Sequence, residues 1–440
     1  MTARGLLLIA AALGLAAGTP ATAQRAPSSP APPATSKPAS KPAAPQKPAP
    51  LPPPIVFFVA KGDANACGVR CSEWIAADGT IDDGADDRLR ALLKKLGGRK
   101  LPIFFHSPGG AVPTGLAIGR LMRQRGLTAG VGWTVPAGCD PKQQIEPACD
   151  KLKRSGRDLV AVLDTGHTMC NSSCVYALVG AAVREVGAGV ELGVHSSAIS
   201  FTRKLIDGQG HVTTMPTHVA PTVERKALES GYTTIAAYLR EMGISQDLLA
   251  AARGVAFSQL HLLTRDQIVA FGIDRRETVE GMWLFVDQTS GPSALKVIEE
   301  NRAGAFHKDF LSLTCRNAST LRLLYGRDAG SSASGWSWPG RLRVTASGGS
   351  FLLEGPYRTA ASGGRGPLHV GSVDVPISLL GDAAFSIEAD NTAAAVLGVT
   401  AQKSSISKVT VQSAGPGLGE LARRCGNDPP KAKGVPTERI

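Results

Sequence analysis

Near residue 290 the apolar residues of this chain change their spacing, and that change limits the fold more than any single motif. From Ile55 to about Val286, short apolar runs such as IVFFV (55–59) and PIFFH (102–106) alternate with stretches of helical periodicity. In one such stretch Leu89, Leu92, Leu93 and Leu96 fall on one helical face, with Asp86 and Asp87 at its start and Gly97 and Gly98 at its end. A second helix is expected over 114–124, and strands around 129–135 and 158–163, with 139–157 as a polar insertion. Strands alternating with helices predict an α/β domain over 55–286 whose sheet is mostly parallel. After Gly291, FLSLTC, LRLLY, RLRVT, SFLLE, FSIEA, VLGVT and KVTVQ are short alternating runs separated by Gly, Ser, Asn and Asp. They predict a β-rich antiparallel sandwich over 300–427, followed by a flexible tail at 428–440.

The N-terminus reads differently. Residues 1–23 carry one arginine, an apolar stretch and the small-residue sequence ATA, the pattern of an export signal cleaved after Ala23. Residues 24–54 are almost only Ala, Pro, Ser, Lys and Gln, too polar and too poor in bulky side chains to order a core, and are expected to form a disordered tether. No later stretch has the 18 or so apolar residues a membrane span needs, so a periplasmic or otherwise exported bacterial protein without an integral membrane segment is expected. The net charge of +12 is spread along the chain, and aromatics are 5% of the residues, a pattern that argues against nucleic acid as a partner.

The eight cysteines suit an oxidising compartment. Pairing nearest neighbours gives Cys67–Cys71, Cys139–Cys149, Cys170–Cys174 and Cys315–Cys425, one of the connectivities eight cysteines allow. No two Cys-x2-Cys pairs occur and the eight histidines are scattered, so no metal is expected.

Two short segments carry the chemistry. HSPGG (106–110) ends an expected strand and precedes an expected helix, where two glycines let the backbone approach a ligand and turn amides outward. CNSSC (170–174) sits before the helix-prone run VYALVGAAV, so either Ser172 or Ser173 stands near a helix start as nucleophile or as an ordinary N-cap. If Cys170 and Cys174 pair, the turn departs from helix: residues four apart on a helix have Cβ atoms roughly 5–6 Å apart, and a disulfide needs about 3.8 Å. LGVHSS places His195 at the end of another short apolar run with one helix between it and the serines. In a parallel α/β unit both would reach the same sheet edge.

WIAADGTI (74–81), HSPGG, the serine motif, the following histidine and LTRDQIVAFGI (263–273), in that order, resemble the Clp protease proteolytic subunit and its crotonase-like relatives, and a group of exported proteobacterial proteins with a Cys-x-Ser-x-Cys motif. The resemblance covers roughly residues 55–275. It implies a spiral α/β core and a serine hydrolase, in which Ser172, with Ser173 as second candidate, is the nucleophile and His195 the base. The oxyanion hole would come from the amides of Gly110, Gly109 and Ser173. No cofactor is implied; peptide or protein substrates and self-association are. The carboxylate of the family triad has no aligned counterpart. Asp247, Asp266 and Gln259 are the nearest substitutes, and Gln259 or a backbone carbonyl is left to orient the imidazole. The competing expectation is a catalytically inactive Clp-like binding or scaffold protein of the cell envelope.

Overall fold

Buried apolar runs set the strands. β1 (Val56–Lys61) and β2 (Glu73–Asp78) are largely inaccessible to solvent and pair antiparallel, Val56 opposite Asp78 and Ala60 opposite Trp74. α1 (Ala85–Lys95) carries Asp86 and Asp87 in its first turn and Lys94 and Lys95 in its last, each sign matching the helix end it occupies. β3 (Ile103–His106) then joins β2 in parallel. α2 (Val112–Arg125) leads to β4 (Thr128–Val131), parallel to β3, and Gly132 separates that strand from β5 (Trp133–Pro136). α3 (Pro147–Lys153) lies in the polar insertion; β6 (Leu159–Asp164) returns antiparallel to β5 and parallel to β1.

β7 (Met169–Asn171), α4 (Ser173–Val179), β8 (Val183–Glu185) and β9 (Glu191–Val194) follow. A hairpin of β10 (Phe201–Ile206) and β11 (Val212–Thr217) precedes α5 (Pro221–Glu241), α6 (Asp247–Arg253), β12 (His261–Leu262) and α7 (Arg265–Ala270). This computed structural model describes residues 53–440 except 69, 141–145, 167, 200, 207–208, 210, 289–290, 303, 329–341, 359–367, 383, 390–408, 413–415, 428–437 and 440. The expected export signal, all of the tether but its last two residues, the run VLGVT and most of the tail lie outside the described residues.

The expectation of a mostly parallel spiral core is overturned. The main sheet has the order β5-β6-β1-β2-β3-β4-β8, is open at both edges, and mixes antiparallel pairs (β1 with β2, β5 with β6) with parallel ones. The β1–β2 connection accounts for one of the antiparallel pairs. Parallel neighbours need a crossover of about a dozen or more residues, usually helical. The eleven residues that join β1 to β2 (62–72) hold no helix among those described and are tied back by Cys67–Cys71, with its Cα atoms 5.0 Å apart. β7, β9 and β12 form a separate three-stranded sheet, again mixed: β7 and β9 parallel, β9 and β12 antiparallel.

Leu116, Ile118, Met122, Leu178, Tyr238 and Leu239, from α2, α4 and α5, pack into the largest apolar cluster. Gly119 lets these helices touch: a Cβ there would lie 1.8 Å from the Tyr238 hydroxyl, which donates to the Tyr176 carbonyl at 2.8 Å.

Beyond residue 277 the described strands pair antiparallel. Thr278–Glu280, Leu284–Gln288, Gly291–Arg302, Ala305–Asn317, Thr320–Asp328, Leu368–Pro376, Glu354–Arg358 and Glu438–Arg439 make one sheet; Gly349–Leu352, Leu342–Ala346, Ala384–Ala389 and Val409–Gln412 make another. A second apolar cluster lies here, and the helix Pro416–Asn427 contributes Leu418 and Leu421 to it. All four nearest-neighbour disulfides form, and Cys315–Cys425 ties this helix to the strand Ala305–Asn317.

A buried ion network joins the two halves of this compact unit, Leu51–Ile440. Arg265 opens α7 behind a Thr264–Gln267 capping box. Its guanidinium reaches Glu299 of the strand Gly291–Arg302 at 2.7 Å and donates to the Val186 and Gly187 carbonyls at 2.8 and 2.9 Å. Asp274 lies 3.6 Å from the same guanidinium, accepts the Val186 N–H at 2.8 Å and pairs with Arg276 at 2.6 Å. Burial pushes the Asp274 carboxyl up, but Arg276 and the Val186 and Arg276 amides outweigh burial and hold it below the ordinary value of 3.8. A depressed carboxylate contributes stability that is present above its unfolded-state pKa and is lost as pH falls through the folded value. Asp274→Asn should therefore lower unfolding stability at pH 7 by about 3 kcal/mol. In chemical denaturation the gap to the wild type should close as the pH is taken below the ordinary carboxylate range.

Candidate active site

The HSPGG segment continues β3 as an extended chain wedged between two neighbours. On one side Ser107 N–H donates to Met169 O at 2.9 Å and Ser107 O accepts from Asn171 N–H at 3.0 Å. On the other, Ile81 N–H donates to Gly109 O at 2.8 Å and Ala111 N–H to Ile81 O at 2.7 Å. Because that second ladder uses the Gly109 carbonyl and the Ala111 amide, the Gly110 N–H points away from Ile81. Both glycines are required. Gly109 has φ 100° and Gly110 φ 140°, and a Cβ on Gly110 would lie 2.1 Å from Ile81 O. At Gly109 it would meet Asn171 O at 2.5 Å and Ser172 Cβ at 2.7 Å. The backbone of HSPGG thus touches the serine turn directly.

Ser172 occupies the turn from β7 into α4 with φ 55° and ψ −123°, a left-handed φ in which non-glycine residues are strained. A sharp strand-to-helix turn carries the nucleophile in α/β-hydrolases. An N-cap serine has extended backbone and accepts a helix amide; Ser172 has neither feature, since its side chain makes no capping bond. Its N–H donates to Gly193 O at 2.8 Å, fixing the turn to β9, and Cys170–Cys174 closes around it with Cα atoms 5.2 Å apart. Ser173 differs: it is fully buried and its hydroxyl has no hydrogen-bond partner, so its side chain faces the interior. As the first residue of α4 its backbone N–H belongs to the group that a helix leaves without an internal acceptor.

His195 follows β9. β7 and β9 run parallel with Asn171 opposite Gly193, so Ser172 and His195 leave adjacent strands at the same edge. Among the described residues no hydrogen bond links the two side chains. The imidazole Nδ1 lies 2.7 Å from the Ser196 carbonyl oxygen. A carbonyl only accepts, so Nδ1 carries a proton, and in the neutral ring Nε2 keeps its lone pair. Ser196 is held in turn: its N–H donates to Val255 O at 2.9 Å, and the next amide, Ser197 N–H, donates to the Tyr232 hydroxyl at 3.2 Å. The Phe257 ring meets the imidazole edge-on with centroids 5.0 Å apart.

None of the carboxylate substitutes bonds to this imidazole. Asp247 is exposed and accepts from the Ser245 hydroxyl at 2.8 Å. Asp266 accepts the Phe306 N–H at 3.0 Å. Gln259 is exposed, with its backbone N–H on Ala256 O at 2.9 Å. Beside them Leu260 packs against Gly193, where a Cβ would be 2.7 Å from Leu260 Cγ. Residue spacing gave no sign of Phe257 or of the Ser196 carbonyl at this place.

His106 of HSPGG turns elsewhere. It stacks on Trp133 at 4.9 Å, accepts the Met169 N–H on Nδ1 at 3.4 Å, and lines a small cavity with Asp78, Pro108 and Lys153. Burial lowers its pKa, and the nearby Asp78 charge opposes that only in part. No group of three or more His, Cys, Asp or Glu side chains that could hold a metal ion occurs among the described residues, nor does a helix long and apolar enough to cross a membrane.

No family model matches the chain, and no curated protein matches it. Solved structures do. The 1510-N membrane-bound stomatin-specific protease matches with 11% identity over 45% of this chain and 75% of its own, at a TM-score of 0.26. The same protease in complex with a substrate peptide matches with 12% identity over 45% of this chain and 71% of its own, at 0.26. ClpP1 from Listeria monocytogenes matches with 15% identity over 44% of this chain and 85% of its own, at 0.27. The chain bears a distant structural resemblance to Clp-like and stomatin-protease-like folds, at a level that fixes neither family nor activity.

Proposed function

We propose that this protein is an exported serine hydrolase acting on peptides, with Ser172 as nucleophile and His195 as base. The observation that carries the reading is the backbone of Ser172, strained at φ 55° with a side chain that caps nothing. Strain of this kind costs on the order of 1–3 kcal/mol, persists only where the surrounding structure over-determines it, and clusters at active sites. In the proposed reaction the Ser172 hydroxyl attacks the scissile carbonyl. His195 Nε2 takes the hydroxyl proton as the C–O bond forms and returns it to the leaving amine as the C–N bond breaks; water then releases the acyl group by the same route. The amides of Gly110 and Ser173, beside Gly109, are assigned to the developing oxyanion, where each donor is worth roughly 10²–10³ in rate.

The Ser196 carbonyl takes over one task of the missing carboxylate, fixing the tautomer, and leaves out the other, stabilising the imidazolium by charge. A slow hydrolase follows from that division. Export is part of the proposal and is supported by the four disulfides. The alternative, a binding protein without turnover, is favoured by the apolar Leu260 beside Gly193 and by Asp247, Asp266 and Gln259 all lying off His195.

Two experiments test the hydrolase. A fluorophosphonate probe should label the purified protein, and labelling should vanish in Ser172→Gly while that variant unfolds at an equal or higher temperature, because glycine relieves the positive φ. A folded wild-type chain that stays unlabelled rules catalysis out. Gly109→Ala should cut labelling at least roughly 100-fold, because the new methyl displaces the Ser172 turn from the proposed oxyanion amides. Labelling of Gly109→Ala at the wild-type rate would remove HSPGG from the site.

A further inference from the structure

The cavity beside His106 is lined by side chains to which the proposed reaction gives no part. Its volume is about 80 Å³, room for several waters or for one six-membered ring. β2 supplies Asp78, β3 His106 and β5 Trp133, while α3, from the insertion closed by Cys139–Cys149, supplies Asp150 and Lys153. Each charge in this lining has its counterpart. Lys153, only 6% exposed, pairs with Asp78, and Asp150 accepts from Arg154 at 2.8 Å. His106 adds none at neutral pH, because burial holds its pKa below the ordinary 6.5. Its Nδ1 accepts the Met169 N–H, so in the neutral ring Nε2–H is the donor. The rest of the wall is apolar: Val56, Pro108, Met169 and the Trp133 ring, which stacks on His106.

We propose that this cavity binds one neutral sugar ring, a hexopyranose. The lining excludes the simpler ligands in turn. A carboxylate would find the Lys153 ammonium already neutralised and would face Asp78; an ammonium ion would face Lys153 itself. A plain hydrocarbon ring would strip water from Asp78, Lys153 and His106 and return no hydrogen bond. A pyranose answers both kinds of wall. Its hydroxyls donate and accept, matching the carboxylate oxygens of Asp78 and Asp150 and the N–H of His106. Its C–H faces lie against Trp133, Val56 and Met169, in a pocket where a few placed polar groups fix orientation within an apolar lining. The site stands apart from the hydrolase reading, since neither Ser172 nor His195 lines it.

Saturation-transfer difference NMR on the purified protein tests the site, with the methyl β-glycosides of glucose and galactose as probes. At least one should bind saturably with a dissociation constant of about 1 mM, the range for a ligand of that size. Acetate, ethylammonium and cyclohexanol at the same concentration should not displace it. Trp133→Ala should weaken binding by at least roughly 10-fold. His106→Phe keeps a ring against Trp133 but removes the N–H donor, and should weaken it by roughly 3- to 10-fold. Circular dichroism checks that each variant folds, and Trp133→Leu replaces Trp133→Ala if that chain does not. Cellobiose and lactose separate two sources of the ring: binding at least as tight as the methyl glycoside assigns the end of a glycan, and its loss assigns a free monosaccharide. No saturable binding of either glycoside, displacement by any of the three competitors, or unchanged binding in the folded Trp133 and His106 variants overturns the sugar site. Fluorophosphonate labelling is scored separately: sugar binding without labelling sinks the hydrolase alone, and labelling without sugar binding sinks this site alone.

Discussion

The Gly109 backbone and the Ser172 turn approach so closely that no side chain fits between them, and the rest of the site is arranged around that contact. It requires an extended glycine pair, which the flanking ladders to Ile81 and Met169–Asn171 hold in place. It also requires that β7 end beside HSPGG and not within the main sheet. The separate three-stranded sheet meets that need: β7 is bridged to the main sheet at Ser107 and Cys170 and carries the serine turn out beyond it. Two sheets meeting at one short backbone contact position the amides and the hydroxyl more firmly than a flexible loop does.

The imidazole is oriented by different means. In a carboxylate triad a buried negative charge fixes the ring and stabilises its protonated form. Here the ring is fixed by the next residue's carbonyl at 2.7 Å, and that carbonyl is fixed through neighbouring amides on Val255 O and the Tyr232 hydroxyl. Such a chain of neutral hydrogen bonds sets direction without adding charge. Tyr232 is buried, with the Arg253 guanidinium over its ring at 4.4 Å, so α5 and α6 reach the site through one hydroxyl.

The sequence announced some of this better than the rest. α1 was legible because Asp86, Asp87, Gly97 and Gly98 mark both ends and Leu89, Leu92, Leu93 and Leu96 mark one face. The direction of β1 against β2 was not, since a buried strand reads the same in a parallel and an antiparallel pair. HSPGG and the serine turn were found because their glycines and paired cysteines leave a local trace. The acceptor for His195 Nδ1 left none, because every residue has a carbonyl and only tertiary structure chooses which one is used. Leu260 lies where a carboxylate was sought, and spacing alone gave no reason to expect an apolar contact with Gly193 there.

The Cys170–Cys174 bridge has a role set by its size. Closing a loop of 110 residues, as Cys315–Cys425 does, removes about 5 kcal/mol of unfolded-chain freedom in the loop-entropy account. A bridge spanning four residues removes about 2 kcal/mol in the same account. That is the same size as the roughly 1–3 kcal/mol cost of holding a serine at positive φ. The small bridge therefore contributes little to the stability of the domain beyond offsetting the strain it encloses. Reducing it would take away about that 2 kcal/mol and leave the positive φ of Ser172 to be held by the bond from its N–H to Gly193 O and by the close approach of Gly109.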